Sequence, residues 1–145
     1  MNSYLVTAHT NAPAAAVYRA LIAGKTWPEW MAVDSYDVEP AAGNGPLRVG
    51  DVRVFRAGRY VSREPIVELI PDRRVAYTAE NAMARDYRAS IELHPRPSGG
   101  TDIAWYGTYS ARLPGTGWLL QAYLRRIMRR AVAGLAGYAA RQVPA

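Results

Sequence analysis

Few side chains in this sequence are suited to chemistry, and one carboxylate stands out among them. Glu64 adjoins Pro65, and a proline cannot donate to a strand ladder, so the alternation of faces around it is disturbed. Both orientations of Glu64 are therefore open. Facing an apolar interior, it would have a raised pKa and could remove a proton from an acidic carbon between two carbonyls; facing water, it would pair with a neighbouring arginine. Arg59 and Arg112 are candidate partners for the enolate or carboxylate of such a reaction. Tyr77, Tyr87, Tyr109 and Tyr123 could hold hydroxyls at apolar walls and orient a ligand carbonyl or hydroxyl. As ordinary core aromatics, they would bond to backbone or water instead. Trp105 would be a stacking wall in the first case and plain core in the second.

Other chemistries are excluded or unsupported. The 145 residues include no cysteine, which rules out disulfides and thiolate catalysis. His9 and His94 are isolated, without a carboxylate cluster at ligand spacing, so neither a metal nor another cofactor is expected. There is no Gly-x-Ser-x-Gly elbow, P-loop or dinucleotide fingerprint, since the glycines at 43, 45 and 50 lack the required spacing. The N-terminus has no basic region followed by an apolar block, and no stretch reaches the apolar length of a membrane span, so a soluble, cytoplasmic protein is expected. The length and a hydrophobic share of 50% fit one domain over residues 1–145 with a single core.

The elements that must position these groups are legible from periodicity. Pro114-Gly115-Thr116-Gly117 opens a proline-free stretch, Gly115 to Gln142, in which Leu120, Leu124, Ile127, Ala131, Leu135 and Tyr138 recur at helical spacing. Thr116 is the expected N-cap. Arg125, Arg126, Arg129, Arg130 and Arg141 fall on the opposite side with no acidic residue among them, although the chain as a whole, net charge +6 from 17 arginines and one lysine, interleaves its acids elsewhere. This face is expected to be a solvated surface, the alternative being a weak contact with an anionic membrane, nucleic acid or acidic partner; no nucleic-acid partner is expected, because phosphate grooves usually combine such charge with exposed aromatics or a recognisable module. So long a helix needs a sheet of long strands to cover it. Tyr4 to Thr10 alternates as a first strand; Asn11-Ala12-Pro13 starts a helix at Ala14 to Ile22, with Asn11 able to cap it; Thr26 to Met31 is a second short helix carrying Trp27 and Trp30. Six strands follow at Val33–Glu39, Asp51–Arg56, Tyr60–Ile70, Arg74–Glu80, Tyr87–His94 and Thr101–Arg112, separated by a loop at Ala41–Pro46 and by hairpin-length turns that imply antiparallel neighbours. Pro65 is expected at an edge or a bulge. The inner face mixes aromatics with small residues, Gly107 and Ala89 opposite Ala131 and Gly134, which either leaves a cavity or permits close backbone approach.

In this layout the chain resembles the START-like, or Bet v 1-like, SRPBCC superfamily, specifically its bacterial polyketide cyclase/dehydrase members. The matching phrases run in order through nearly the whole chain: Ala12-Pro13 with Val17-Tyr18, Trp27-Pro28-Glu29-Trp30, Val49-Gly50, Arg63-Glu64-Pro65-Ile66, Pro71-Asp72-Arg73-Arg74-Val75-Ala76-Tyr77, Asp86-Tyr87-Arg88-Ala89, Gly99-Gly100-Thr101-Asp102-Ile103-Ala104-Trp105 and Gly115-Thr116-Gly117-Trp118. The resemblance implies an α+β helix-grip fold, a curved seven-stranded antiparallel sheet around the C-terminal helix, with an internal cavity for lipids, sterols, polyketides or aromatic hormones. It implies no single activity, since members include carriers, sensors and aromatase/cyclases. It also places Trp27 and Trp30 where members carry a gate near the cavity.

The resulting expectation is a binder of a small hydrophobic ligand, with Trp27, Trp30, Tyr77, Tyr87, Trp105, Gly107, Tyr109, Tyr123 and Ile127 at the site. The alternatives are a polyketide cyclase using Glu64 in aldol closure and dehydration, and an interaction module using Arg125, Arg126, Arg129 and Arg130.

Overall fold

The computed structural model describes residues 1–40 and 45–143. Its strands are β1 (Asn2–Thr10), β2 (Ser35–Glu39), β3 (Val52–Ala57), β4 (Tyr60–Ile70), β5 (Arg74–Ala79), β6 (Ala84–Pro95) and β7 (Thr101–Ala111). Helix α1 (Ala14–Ile22) and a 3-10 helix (Gly24–Glu29) follow β1, and the 25-residue helix α2 (Gly117–Arg141) ends the order. All strands pair antiparallel in one sheet, in the order β1-β7-β6-β5-β4-β3-β2. Each connection from β2 to β7 joins sheet neighbours, and from β3 onward the connections are short, as suits antiparallel pairs. Of the expected loop at Ala41–Pro46, positions 41–44 lie outside the described residues.

Alternation fixes which face is covered. Tyr87, Ala89, Ile91 and Leu93 of β6 are buried, as are Ile103, Trp105 and Tyr109 of β7 and Tyr4 and Val6 of β1. Helix α2 rests on β1 and β7. The helix is held at its start by Asn2 Nδ2, which donates to the Gly117 carbonyl at 3.2 Å, and by Gln121 Nε2, which donates to the Ser3 carbonyl at 3.2 Å. Fully burying a side chain such as Leu135 contributes about 1.5–3 kcal/mol.

Several local expectations are corrected. Pro65 lies in β4 between β3 and β5, away from either edge, but a register shift does follow between Ile66 and Glu68. Residues 60–65 of β4 pair with β3, and Ile66 onward pairs with β5. The two ladders overlap around the proline, since Arg63 also bridges Glu80 and the Ile66 N–H also bonds to the Asp51 carbonyl. The second short helix is a 3-10 helix and starts earlier, at Gly24. Thr116 does occupy the N-cap position of α2, but its hydroxyl donates backwards to the Leu113 carbonyl at 2.6 Å and caps nothing, and neither does Asn11 cap α1, whose N-cap is Pro13. The buried stripe of α2 is Leu124, Met128, Ala131, Val132, Leu135, Ala136 and Ala139, rotated from the expected one. Leu120, Ile127 and Tyr138 are only half buried, because the stripe follows the sheet beneath α2 and leaves Ile127 at a cavity margin.

The small residues of the inner face serve close approach. A Cβ on Gly107 would run into the ring of Tyr4, its partner in the β1–β7 register, and one on Gly134 would collide with the Trp30 carbonyl. The space beside these glycines is occupied, and the cavity lies elsewhere.

Candidate functional site

A cavity of about 350 Å³ opens between the sheet and the first half of α2. Period two on β4 sends Tyr60, Ser62 and Glu64 to its wall and on β5 adds Tyr77 and Ala79, while on β6 Ala84 and Tyr87, three apart, both reach it because the register shifts between Arg85 and Arg88. From α2, Tyr123 and Ile127 share one row and Leu124 and Met128 the next. Trp27 and the segment Met31–Val33 also line it.

Glu64 faces this cavity, its side chain only 13% exposed. Its Oε2 accepts from Ser62 Oγ at 3.2 Å, whereas Oε1 has no hydrogen-bond partner among the described residues. Removal from water pushes its pKa up from 4.5 to about 7, against the opposing pull of Arg53 and the Ser62 hydroxyl.

Arg53, directly across the β3–β4 register, is completely buried. One Nη donates to the Leu21 carbonyl at 3.0 Å, the other stands 3.6 Å from Glu64 Oε1, and the guanidinium lies 4.6 Å from the Trp27 ring centroid, with Phe55 and Tyr77 at 5.4 and 5.5 Å. Its Nε and Nη2 have no hydrogen-bond partner among the described residues. Buried charge is costly unless paired and hydrogen-bonded. Here it is half satisfied, by an ion pair too long for a hydrogen bond and by aromatic faces.

The phenols form a second polar layer. Tyr4 and Tyr87 hydroxyls bond to each other, and Trp105 Nε1 donates to Tyr77 Oη at 3.0 Å. Burial pushes Tyr60 up to about 12 and holds Tyr77 and Tyr87 well above the ordinary phenol value, so all three stay protonated and can donate to a ligand oxygen.

Of the residues singled out from sequence, the structure brings Glu64, Trp27, Tyr77, Tyr87, Tyr123 and Ile127 to this cavity. Trp30, Trp105, Gly107 and Tyr109 do not line it: Trp30 and Trp105 pack with Trp27 in an aromatic cluster, and Tyr109 stacks on Tyr87 at 5.9 Å. Trp27 and Trp30 are both buried, Trp27 Nε1 donating to the Leu21 carbonyl at 3.1 Å. Arg59 and Arg112 are exposed, and Arg112 Nε donates to the Asn81 carbonyl; the cation beside Glu64 is Arg53. Arg53 was missed although a signal existed: it shares strand parity with Phe55, the chain's one phenylalanine, so an inward Phe55 carries Arg53 inward as well. Among the described residues no three potential metal ligands gather, and His9 bonds to Asp102 at the surface.

Seven antiparallel strands curved round one long helix, with an aromatic-walled cavity between, define the α+β helix-grip class shared by START-like and Bet v 1-like proteins. The chain belongs to the family described as polyketide cyclase/dehydrase and lipid transport, whose model matches residues 1–140. Among solved structures it is similar to a START superfamily protein from Mycobacterium smegmatis, with TM-score 0.83 and 10% identity over 97% of this chain and 99% of that one. The aromatase/cyclase Zhui from Streptomyces sp. R1128 gives TM-score 0.80 and 16% identity over 99% and 96%. A protein from Thermobifida fusca gives 0.77 and 23% over 97% and 95%. At these identities the likeness establishes the fold. Comparison with curated protein sequences finds no significant match.

Proposed function

We propose that the cavity binds a small hydrophobic ligand, aromatic or polyketide-like, with one polar group directed at Glu64. The observation that carries this reading is an apolar, aromatic-walled space containing a carboxylate oxygen with no hydrogen-bond partner among the described residues. Apolar burial would supply the driving force and the polar contact the orientation. A cavity of 150 Å³ takes one benzene, so about 350 Å³ suits a ligand of two or three rings. Tyr60, Tyr77 and Tyr87 offer protonated phenols along the wall. The test is a thermal-shift panel of fatty acids, sterols and polycyclic aromatics, since a ligand bound only by the folded state raises its melting temperature. Dose-dependent stabilisation by one class, abolished by Ile127→Trp, which fills the cavity from a half-exposed helix position, is the expected result. No shift from any class in a cooperatively melting protein refutes the reading. Gly107→Leu is unsuitable as the blocking variant because it strikes Tyr4.

A second reading, a polyketide cyclase, is favoured by one specific feature: a carboxyl group with pKa about 7 is matched to proton transfer near neutral pH. Ionised Glu64 would take a proton from a carbon between two carbonyls while a phenol hydrogen-bonds the enolate oxygen; the carbanion would attack a second carbonyl of the same chain, whose alkoxide takes the proton back from Glu64, and the resulting hydroxyl would leave with the remaining α-proton as water. Exclusion of water and positioning would do the rest. Glu64→Gln should then abolish turnover of a polyketone while leaving its binding intact; unchanged turnover excludes this reading.

A further inference from the structure

The first half of α2 carries a surface that the core does not use. Trp118 is 73% exposed, Leu119 57%, and Leu113, just before the helix, 68%. Helical spacing puts Trp118, Arg125 and Arg129 in one row and Leu119, Arg126 and Arg130 in the next. The face thus begins apolar and becomes cationic over the following two turns. No Asp or Glu occurs in α2, and among the described residues none of these four arginines enters an ion pair. The opposite face is buried and the helix start is tied to β1, so the surface is presented rigidly. Tyr123, 49% exposed, stands beside Leu119 and Arg126 and also lines the cavity, which therefore opens next to this patch.

An acidic protein or a nucleic-acid backbone would engage the arginines but gain little from Leu113 and Leu119. The boundary of an anionic bilayer suits both parts: its headgroups attract guanidinium groups, and an indole with leucine side chains beside it partitions to the level where headgroups meet acyl chains. We propose that the first half of α2 is a docking surface for an anionic lipid bilayer, which sets the open side of the cavity against the membrane. Docking of this kind needs only the exposed face. It can fail while ligand binding stands, and the reverse.

The other three tryptophans are buried, so Trp118 is a built-in reporter. The full chain would be titrated with vesicles of phosphatidylcholine, alone or mixed with phosphatidylglycerol, at about 0.1 M salt, where screening acts over about 10 Å. Tryptophan emission, quenching by acyl-chain bromines and flotation would be recorded. The expected result is binding only to phosphatidylglycerol vesicles, with blue-shifted emission, bromine quenching and release at high salt. The pair Arg126→Glu and Arg130→Glu should lower partitioning at least about tenfold. Trp118→Ala with Leu119→Ala should weaken flotation too; all four positions are exposed, and unchanged melting would confirm intact folding. Absence of binding, equal binding to both vesicle types, or binding that survives the charge reversal overturns the proposal. Salt-dependent binding to RNA or to an acidic peptide without vesicle binding overturns it as well.

Discussion

Replacing Glu64 by glutamine should leave stability almost unchanged in mild acid and raise it in mild alkali. The folded state holds the Glu64 proton to about pH 7, whereas the unfolded chain releases it near 4.5. A carboxyl group whose folded pKa is raised contributes stability that is fully present below the unfolded value and is lost as pH rises through the folded value. At pH 5 the folded protein carries a neutral acid, and glutamine reproduces its size and neutrality, with Arg53 in the same company either way. At pH 8 the parent must hold a carboxylate in the cavity wall and the variant need not. Between these two points the variant should gain about 2–3 kcal/mol on the parent, from a shift of roughly two and a half pH units at 1.36 kcal/mol each, less the part already lost by pH 5. In a chain of this size that corresponds to about 5–10 °C in melting temperature. Urea unfolding of both proteins at pH 5, 6, 7 and 8 measures the difference directly, and taking the difference cancels the titration of Glu39 and Asp102, which exposed arginine partners pull downward. A difference that stays flat with pH, or a variant that loses ground as pH rises, would mean that Arg53 fully compensates the charge and that the cavity wall is far more polar than described.

Two further predictions test packing around the site. Ala in place of Gly in a helix interior ordinarily stabilises by about 1 kcal/mol, but Gly134→Ala should cost about 1–3 kcal/mol, because the added methyl meets the Trp30 carbonyl. Gly137→Ala, whose methyl touches only the mobile end of Arg141 at 3.4 Å, should show the ordinary gain, and similar denaturation midpoints for the two variants would refute the close approach. Tyr77→Phe removes the acceptor for Trp105 Nε1, so it should cost about 1–3 kcal/mol and alter near-ultraviolet circular dichroism. A change under about 0.5 kcal/mol, as expected at an exposed position, would show that the indole is satisfied elsewhere.

The strands were readable because period two places one residue in two against the helix, and Tyr87 to Leu93 shows it without interruption. The site was harder for a local reason. Just beyond Pro65 the register of β4 shifts between Ile66 and Glu68, and parity counted back from the Ile70 end across that point is unreliable. Counted from the Tyr60 end instead, Tyr60, Ser62 and Glu64 share one face, opposite Phe55 and Arg53. The orientation of Glu64 was therefore available from the short side of the proline. The meaning of Gly107 was not: whether a glycine opposite a helix leaves a void or receives a neighbour depends on the cross-strand residue, here Tyr4, and register between the first and last strands is a long-range fact. Likewise, the helical period located the apolar stripe of α2 but not its centre, because Leu120 and Ile127 match the period of Leu124 and Leu135 and differ only in what the sheet offers them.

The two ends of α2 consequently do different work for one physical reason. Toward the C-terminus Gly134 admits the Trp30 backbone, Leu135 and Ala139 are fully buried, and nothing larger than a side chain fits. Toward the N-terminus a cavity lies between α2 and the sheet, and its wall on β4 carries Glu64, paired across the strands with the buried Arg53, in place of two apolar side chains. A buried, half-satisfied ion pair is a poor packing partner, and hydrophobic replacement of such pairs is often neutral or stabilising. A double replacement, Arg53→Met with Glu64→Leu, should therefore fold at least as well as the parent while losing ligand-induced stabilisation. If it instead unfolds, the pair is there to hold β3 to β4, and the cavity is its by-product.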